Sequence, residues 1–375
     1  MPHPSVPTSS APDTSTRRKF TDIARDEPPY IIAEIGVNHD GSVERALELV
    51  DAAHHAGADA IKLQLFETDR LMSKASRLAS YQAGAGEADP FSMLRRLELS
   101  IEEMHLIVER AHAHGLHAIV TVFSVELVPV AEQLPWDAYK SASPDIINRP
   151  LLEAMAGTGK PLIVSTGAST LEEVVRAVDW LLPVCADRLG LLQCVSSYPT
   201  PREHSALRAI EVFTHEFPTC TIGYSDHTPE IDTGGIATIL GARVLEKHLT
   251  YDRCAKGPDH AASLNPEQFA SYVRTTTELM QTAEQGSQPG ENDDERLGRR
   301  VKTILECEHD VRAVSRQSLV ATRDLPAGHV ITRDDLTIKR PGTGIEPWRI
   351  NEIIGSRTTQ PVSSDMPILP ADISL

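Results

Sequence analysis

Several short β-like runs in this chain end in side chains that a hydrophobic core does not need. The first ends Ala33-Glu34-Ile35-Gly36 before Asn38 and His39, and the next carries Lys62 and Gln64, whose two-residue spacing puts both on one face of a strand. Thr121, Lys140 and Ser143, Ser165-Thr166-Gly167, and Ser196-Ser197-Tyr198 follow at later run ends. Ammonium and hydroxyl donors gathered from Lys62, Lys140, Thr121, Ser143 and Ser165 would suit a phosphate. Two more runs end in Ser225-Asp226-His227 and Glu246-Lys247-His248. Neutral imidazoles on adjacent strand ends suit Mn²⁺ or a similar divalent ion, with waters and substrate oxygens in the remaining positions. A loop bearing Gly257, Pro258 and Asp259 could lower a carboxylate onto the same place. The plainer alternatives are scattered strand-end polar residues, a satisfied histidine pair and a surface turn.

What would bring these residues together is a barrel. Apolar runs rich in Ile, Val and Leu alternate with amphipathic stretches, the pattern of βα units. Strands are expected at Tyr30–Ile35, Ala60–Leu65, His117–Val122, Ala138–Lys140, Leu162–Ser165, Leu189–Cys194, Thr221–Ser225 and Val244–His248. That number predicts an α/β fold, a (β/α)₈ TIM barrel, whose functional residues gather at the C-terminal ends of the strands. Local punctuation agrees: Ser100-Ile-Glu-Glu103 and Thr170-Leu-Glu-Glu173 read as capping boxes, and Gly57 and Gly115 as helix stops. The barrel is expected over residues 27–283, after a Pro/Ser/Thr-rich disordered leader over 1–26. A polar linker over 284–312 and a small, mostly β domain over 313–375 follow, the latter too small to bury much surface unaided.

A formal net charge of −17 argues against nucleic-acid binding, which needs basic residues on backbone phosphates. No uncharged apolar run approaches the roughly 18 residues of a membrane helix. The 5 cysteines are scattered without a Cys-x-x-Cys pair, so they read as structural and the expected compartment is the reducing cytoplasm. Gly157-Thr-Gly-Lys160 imitates a phosphate loop, but Pro161 follows where Ser or Thr is required, so it reads as a helix stop. His54, His55, His105, His112 and His114 fall on expected outer helices and read as surface residues.

The strings AEIGVNHDG, ADAIKLQ, VSTGAS, SSYPTP, YSDHT, LEKHLT, GPDH and KRPGTGI, in this order, resemble the sialic acid synthase family. Members of that family join a phosphoenolpyruvate-condensing barrel to a C-terminal antifreeze-like (SAF) domain. The resemblance implies a metal-dependent transferase that joins phosphoenolpyruvate to an N-acetylated mannosamine-type aldose, giving a nine-carbon 2-keto sugar acid and phosphate. It implies His227 and His248 as ligands of Mn²⁺ or Mg²⁺, Glu34 as an acidic residue at the sugar and Glu246 as lining the sugar and metal site; for proton transfer Glu34 is the first choice and Glu246 the second. Lys62, Thr121, Lys140, Ser143, Ser165 and Ser196 would hold phosphoenolpyruvate, and Gln64, Tyr198, Asp259 and Arg340 the sugar. It further implies a homodimer in which Arg340 and the SAF domain cap the partner's barrel. Val122 and Ser196 depart from the N-acetylneuraminate branch, and Ser196-Ser197-Tyr198 is closer to the legionaminic, pseudaminic and spore-coat branches, which leaves the sugar open. Competing functions are another phosphoenolpyruvate-dependent aldose-condensing synthase and a non-catalytic sugar-binding barrel.

Overall fold

The structure, a computed structural model, describes residues 20–22, 27–284 and 295–374. Eight parallel strands close into a barrel in sequence order: β1 Tyr30–Glu34, β2 Ala60–Leu65, β3 His117–Val122, β4 Ala138–Ser141, β5 Leu162–Ser165, β6 Leu189–Cys194, β7 Thr221–Asp226 and β8 Val244–His248. β1 closes on β8, with Ile32 opposite Glu246 and Glu34 opposite His248. Both expected capping boxes form: Ser100 accepts from the Glu103 amide, and Thr170 and Glu173 exchange bonds through their backbone amides. Gly57 ends the helix Val43–Ala56 with φ at 85°, a left-handed conformation that costs glycine little.

The two-residue period of the strands sorts side chains into an inward and an outward set. Outward, Ile31, Ala33, Ile61, Leu63, Ala118, Val120 and Val164 join the core against the helices. Inward, Tyr30, Ile32, Ala60, Ile119, Ala138, Ile163, Leu192 and Val244 fill the barrel floor. One step further along the same inward rows stand Glu34, Lys62, Thr121, Lys140, Ser165, Cys194 and Glu246. An apolar floor beneath a polar mouth therefore follows directly from strand parity.

The floor is completed from an unexpected place. Of the leader expected to be disordered over 1–26, residues 1–19 and 23–26 lie outside the described residues, but Phe20 does not fit that expectation. It is 3% exposed and meets Tyr30 edge to face at 6.2 Å inside the floor cluster. Burying an aromatic ring there removes a large apolar surface from water, enough to order a short segment.

The C-terminal unit pairs β9 (Ser318–Ala321) with β10 (Leu336–Lys339) and β11 (Arg357–Thr358) with β12 (Ile373–Ser374), both antiparallel, around its own apolar cluster. It sits on the barrel mouth of its own chain. The Arg340 amide donates to Leu71 O at 2.9 Å, Ser73 N donates to Arg340 O at 3.1 Å, and Gln317 bridges Asn148 and Phe123 O. On the flank, Trp348 packs near Trp180 and beneath the Arg176 guanidinium. No helix among the described residues is long and apolar enough to cross a membrane.

Candidate active site

Every one of the residues expected at the site lines a single cavity at the C-terminal end of the barrel: Glu34, Lys62, Gln64, Thr121, Lys140, Ser143, Ser165, Ser196, Tyr198, His227, Glu246, His248, Asp259 and Arg340. The cavity has two chemically different ends.

At one end two lysines are buried, each against a carboxylate. Lys62 contacts Glu34 and donates to Thr121 Oγ1 at 2.8 Å, while Lys140 lies 3.3 Å from Glu246, which also accepts from Ser225 Oγ. Burial pulls the Lys62 pKa down to about 7; Glu246 opposes this and Lys140 adds to it. Glu246 titrates below its ordinary value: burial raises it, but Lys140 and Lys62 more than compensate. Beside the lysines, Ser165 Oγ and Ser196 Oγ are buried with no hydrogen-bond partner among the described residues. Ser143 Oγ accepts from the Gly167 amide at 2.9 Å. A Cβ at position 167 would stand 2.3 Å from Ser196 Oγ and 2.9 Å from Ser143 Oγ, so only glycine lets these hydroxyls converge. Unsatisfied buried donors are costly, and a group with several acceptor oxygens beside two ammonium ions would satisfy them.

Toward the centre stand the two histidines, ring centroids 5.4 Å apart. His227 Nδ1 donates to Val195 O at 2.7 Å, which fixes the ring and leaves Nε2 to act as a ligand. Nδ1 of His248 is buried without a hydrogen-bond partner among the described residues and lies 3.9 Å from Asp259. Burial, then the charges of His227, Lys62 and Lys140, holds the His248 pKa well below its ordinary value. For His227 burial works against the charged ring, but Cys194 and the Val195 carbonyl raise its pKa overall. An unpartnered His248 nitrogen and a second imidazole, both lining the cavity, are donors of the kind a divalent ion takes. Among the described residues, however, no three His, Cys, Asp or Glu side chains form a metal-holding group by themselves. Oxygen ligands from outside the protein would have to complete such a site.

The far end is lined by Gln64, Tyr81, Tyr198, Asp259 and Arg340 above an apolar wall that includes Phe66, Leu71, Leu94 and Phe123. Gln64 Nε2 donates to Gly36 O at 2.8 Å and more weakly to Glu34 Oε1 at 3.3 Å. Tyr198 stacks on Tyr81 and lies 4.1 Å from the His227 ring. Burial pushes the Asp259 carboxyl up to about 6 against the pull of His227, His260 and Lys62. The Arg340 guanidinium lies over the Phe123 ring.

Arg340 lines this cavity in the single chain described. Residues 295–317 lead to it over the barrel surface: Arg296 pairs with Asp232, Lys302 donates to Gln193, and Arg312 pairs with Glu173. Sequence reasoning missed several lining residues, among them Cys194, Tyr81 and Pro144. Cys194, read as structural, lies 3.7 Å from His227 Nδ1; its inward parity after Leu192 was the available signal. Tyr81 sits on the short helix Ser80–Gly84, which no periodicity announces. Pro144 lines the cavity beside Ser143, at the start of the 3-10 turn Ser143–Ile147; behind it Asp145, outside the lining, is buried and pushed up to about 7, chiefly by burial, with Arg340, Arg316 and Lys140 opposing.

Comparison with known proteins gives this geometry a lineage. Residues 49–288 match the NeuB family and residues 316–374 the SAF domain. An N,N'-diacetyllegionaminic acid synthase of Legionella pneumophila is 37% identical across 91% of this chain and 93% of its own length. The N-acetylneuraminate-9-phosphate synthase of Homo sapiens is 30% identical across 91% and 92%. In three dimensions, the crystal structure of the spore coat polysaccharide biosynthesis protein SpsE of Bacillus subtilis superposes with a TM-score of 0.81 at 29% identity, covering 93% of this chain and 96% of that one. With its barrel and its C-terminal domain thus matched, the chain belongs to the NeuB family and carries a SAF domain.

Proposed function

We propose that the chain is a nonulosonic acid synthase that condenses phosphoenolpyruvate with an N-acetylated mannosamine-type aldose and water, yielding a nine-carbon 2-keto sugar acid and phosphate. The observation that carries this reading is the polarity of the one cavity. Lys62, Lys140 and the unsatisfied hydroxyls of Ser165 and Ser196 gather at one end, Gln64, Asp259 and Arg340 line the other, and the histidine pair stands between them.

In this reading Lys62, Lys140, Thr121 and the serines hold phosphoenolpyruvate by its anionic groups, with its C3 directed to the aldose C1. The C3–C1 bond forms as the phosphoenolpyruvate double bond opens, and the aldehyde oxygen takes a proton. Water adds at the electron-poor C2 and gives up a proton. The C2–O bond to phosphate then breaks, phosphate leaves, and the C2 hydroxyl loses its proton to become the ketone. Glu34 is assigned the proton from water, because it is 1% exposed, bonded by Gln64 and held beside Lys62. Glu246, held by Lys140 and Ser225, is the second such group. His227 and His248 would hold Mn²⁺ or Mg²⁺, which when bound supplies a Lewis acid for the aldehyde oxygen.

A free aldose fits the far end better than a phosphorylated one. Arg340 is the cation lining that end among the described residues, and it is shared with Asp145 above an apolar wall suited to acyl or deoxy methyl groups. For assembly we propose a homodimer in which the SAF domain and Arg340 of each chain cap the partner's barrel, as the resemblance implies. Phosphate release from phosphoenolpyruvate with Mn²⁺, N-acetylmannosamine, its 6-phosphate and a di-N-acetylated trideoxyhexose tests the function. Release with a free aldose is expected. Release with none of them, or with the 6-phosphate alone, refutes the reading.

A further inference from the structure

Residues 295–315, within the stretch between the two family matches and reaching past the linker expected over 284–312, pack on the barrel, and Val311 and Ser315 line the cavity. Glu308 lies in that stretch, yet its side chain is fully buried. Its Oε1 accepts from the Ala168 amide at 2.6 Å and from the Ser196 amide at 2.8 Å, and its Oε2 accepts from Leu305 N at 2.9 Å. One carboxylate oxygen thus ties the loop after β5 to the loop after β6. Ala168 needs such support, because it is a non-glycine residue at φ 50°. The other side of the same residue is gripped as well: Arg312 and Arg316 both donate to Ala168 O, at 2.5 Å and 3.0 Å, while pairing with Glu173.

The two loops that Glu308 joins carry the groups that converge at the lysine end. Gly167, next to Ala168, donates to Ser143 Oγ, and Ser196 presents its unpartnered hydroxyl a short distance away. Glu308 itself does not line the cavity. We propose that Glu308 is a positioning residue that sets the β5 and β6 loops at the spacing the phosphate group requires, so that the segment between barrel and SAF domain forms part of the phosphoenolpyruvate site. The assignment of that end to phosphoenolpyruvate rests on the function proposed above; the tie between the loops does not.

The test uses the full chain with Glu308→Ala, Glu308→Asp and, as a control, Glu306→Ala, whose side chain is 97% exposed. Amide hydrogen exchange without substrate reads the tie directly. In Glu308→Ala the amides of Ala168 and Ser196 should exchange at least tenfold faster, while those of Val120 in β3 keep their wild-type rate. Steady-state kinetics reads its consequence: KM for phosphoenolpyruvate should rise at least tenfold and KM for the aldose less than twofold. Glu308→Asp keeps the charge but is one methylene short, so at least a threefold rise in the same KM is expected, which decides the matter if the alanine variant does not fold. Glu306→Ala should match wild type. Unchanged exchange at Ala168 and Ser196, or parallel rises in both KM values, would overturn the proposal. If the wild type uses no phosphoenolpyruvate, the functional reading fails, and the exchange result still decides whether Glu308 holds the loops.

Discussion

Raising the pH should disable the phosphate end of the cavity through Lys62. Its pKa, ordinarily 10.5, is brought down to about 7 mainly by burial. Being a base, it is charged below that value and neutral above it. The charged fraction is then about one half at pH 7, about one eleventh at pH 8 and about one hundredth at pH 9. If phosphoenolpyruvate binds only the ammonium form, kcat/KM for it should fall about fiftyfold from pH 7 to pH 9, close to the limiting slope of ~1.4 kcal/mol per pH unit. The ligand does not confound this window, since a phosphate with a second pKa near 6 is already a dianion throughout it. The assay is initial-rate phosphate release at subsaturating phosphoenolpyruvate, because kcat/KM reports the free enzyme. Lys62→Arg keeps its charge above pH 7, so its profile should lose the alkaline fall even if its maximum is lower. A wild-type profile that stays flat from pH 7 to 9 would refute the reasoning, as would an arginine variant that falls in parallel.

Further outcomes are expected elsewhere in the molecule. EDTA should abolish activity and Mn²⁺ or Mg²⁺ restore it, and His248→Ala should weaken Mn²⁺ binding by calorimetry at least tenfold; EDTA-resistant turnover would count against the histidine pair as a metal site. If Arg340 completes the partner's site, co-expressed Glu34→Ala and Arg340→Ala chains should recover toward roughly a quarter of wild type in a twofold dimer, whereas a mixture as inactive as its parents would show that each chain supplies its own Arg340. Asp226 and Lys247 form an ion pair at 2.9 Å with neither side chain exposed, directed outward between the two histidine strands. Lys247→Met should cost ~3–5 kcal/mol by urea denaturation, with much of that recovered on adding Asp226→Asn, because a lone buried charge is worse than none.

The barrel and the membership of its mouth were legible in the sequence because both are periodic. Each strand alternates, so one polar residue at its C-terminal inward position is visible as an exception in an apolar run, as with Lys62 after Ala60 or Glu246 after Val244. Tertiary structure alone decided the rest. Composition marks residues 284–312 as polar, but it cannot distinguish charges facing water from charges such as Glu308, which finds its amide partners 140 and 112 residues away. Phe20 and Tyr81 likewise acquire their places only through packing against distant elements. A repeating strand reports its own faces; a contact between distant segments exists only once both have been placed.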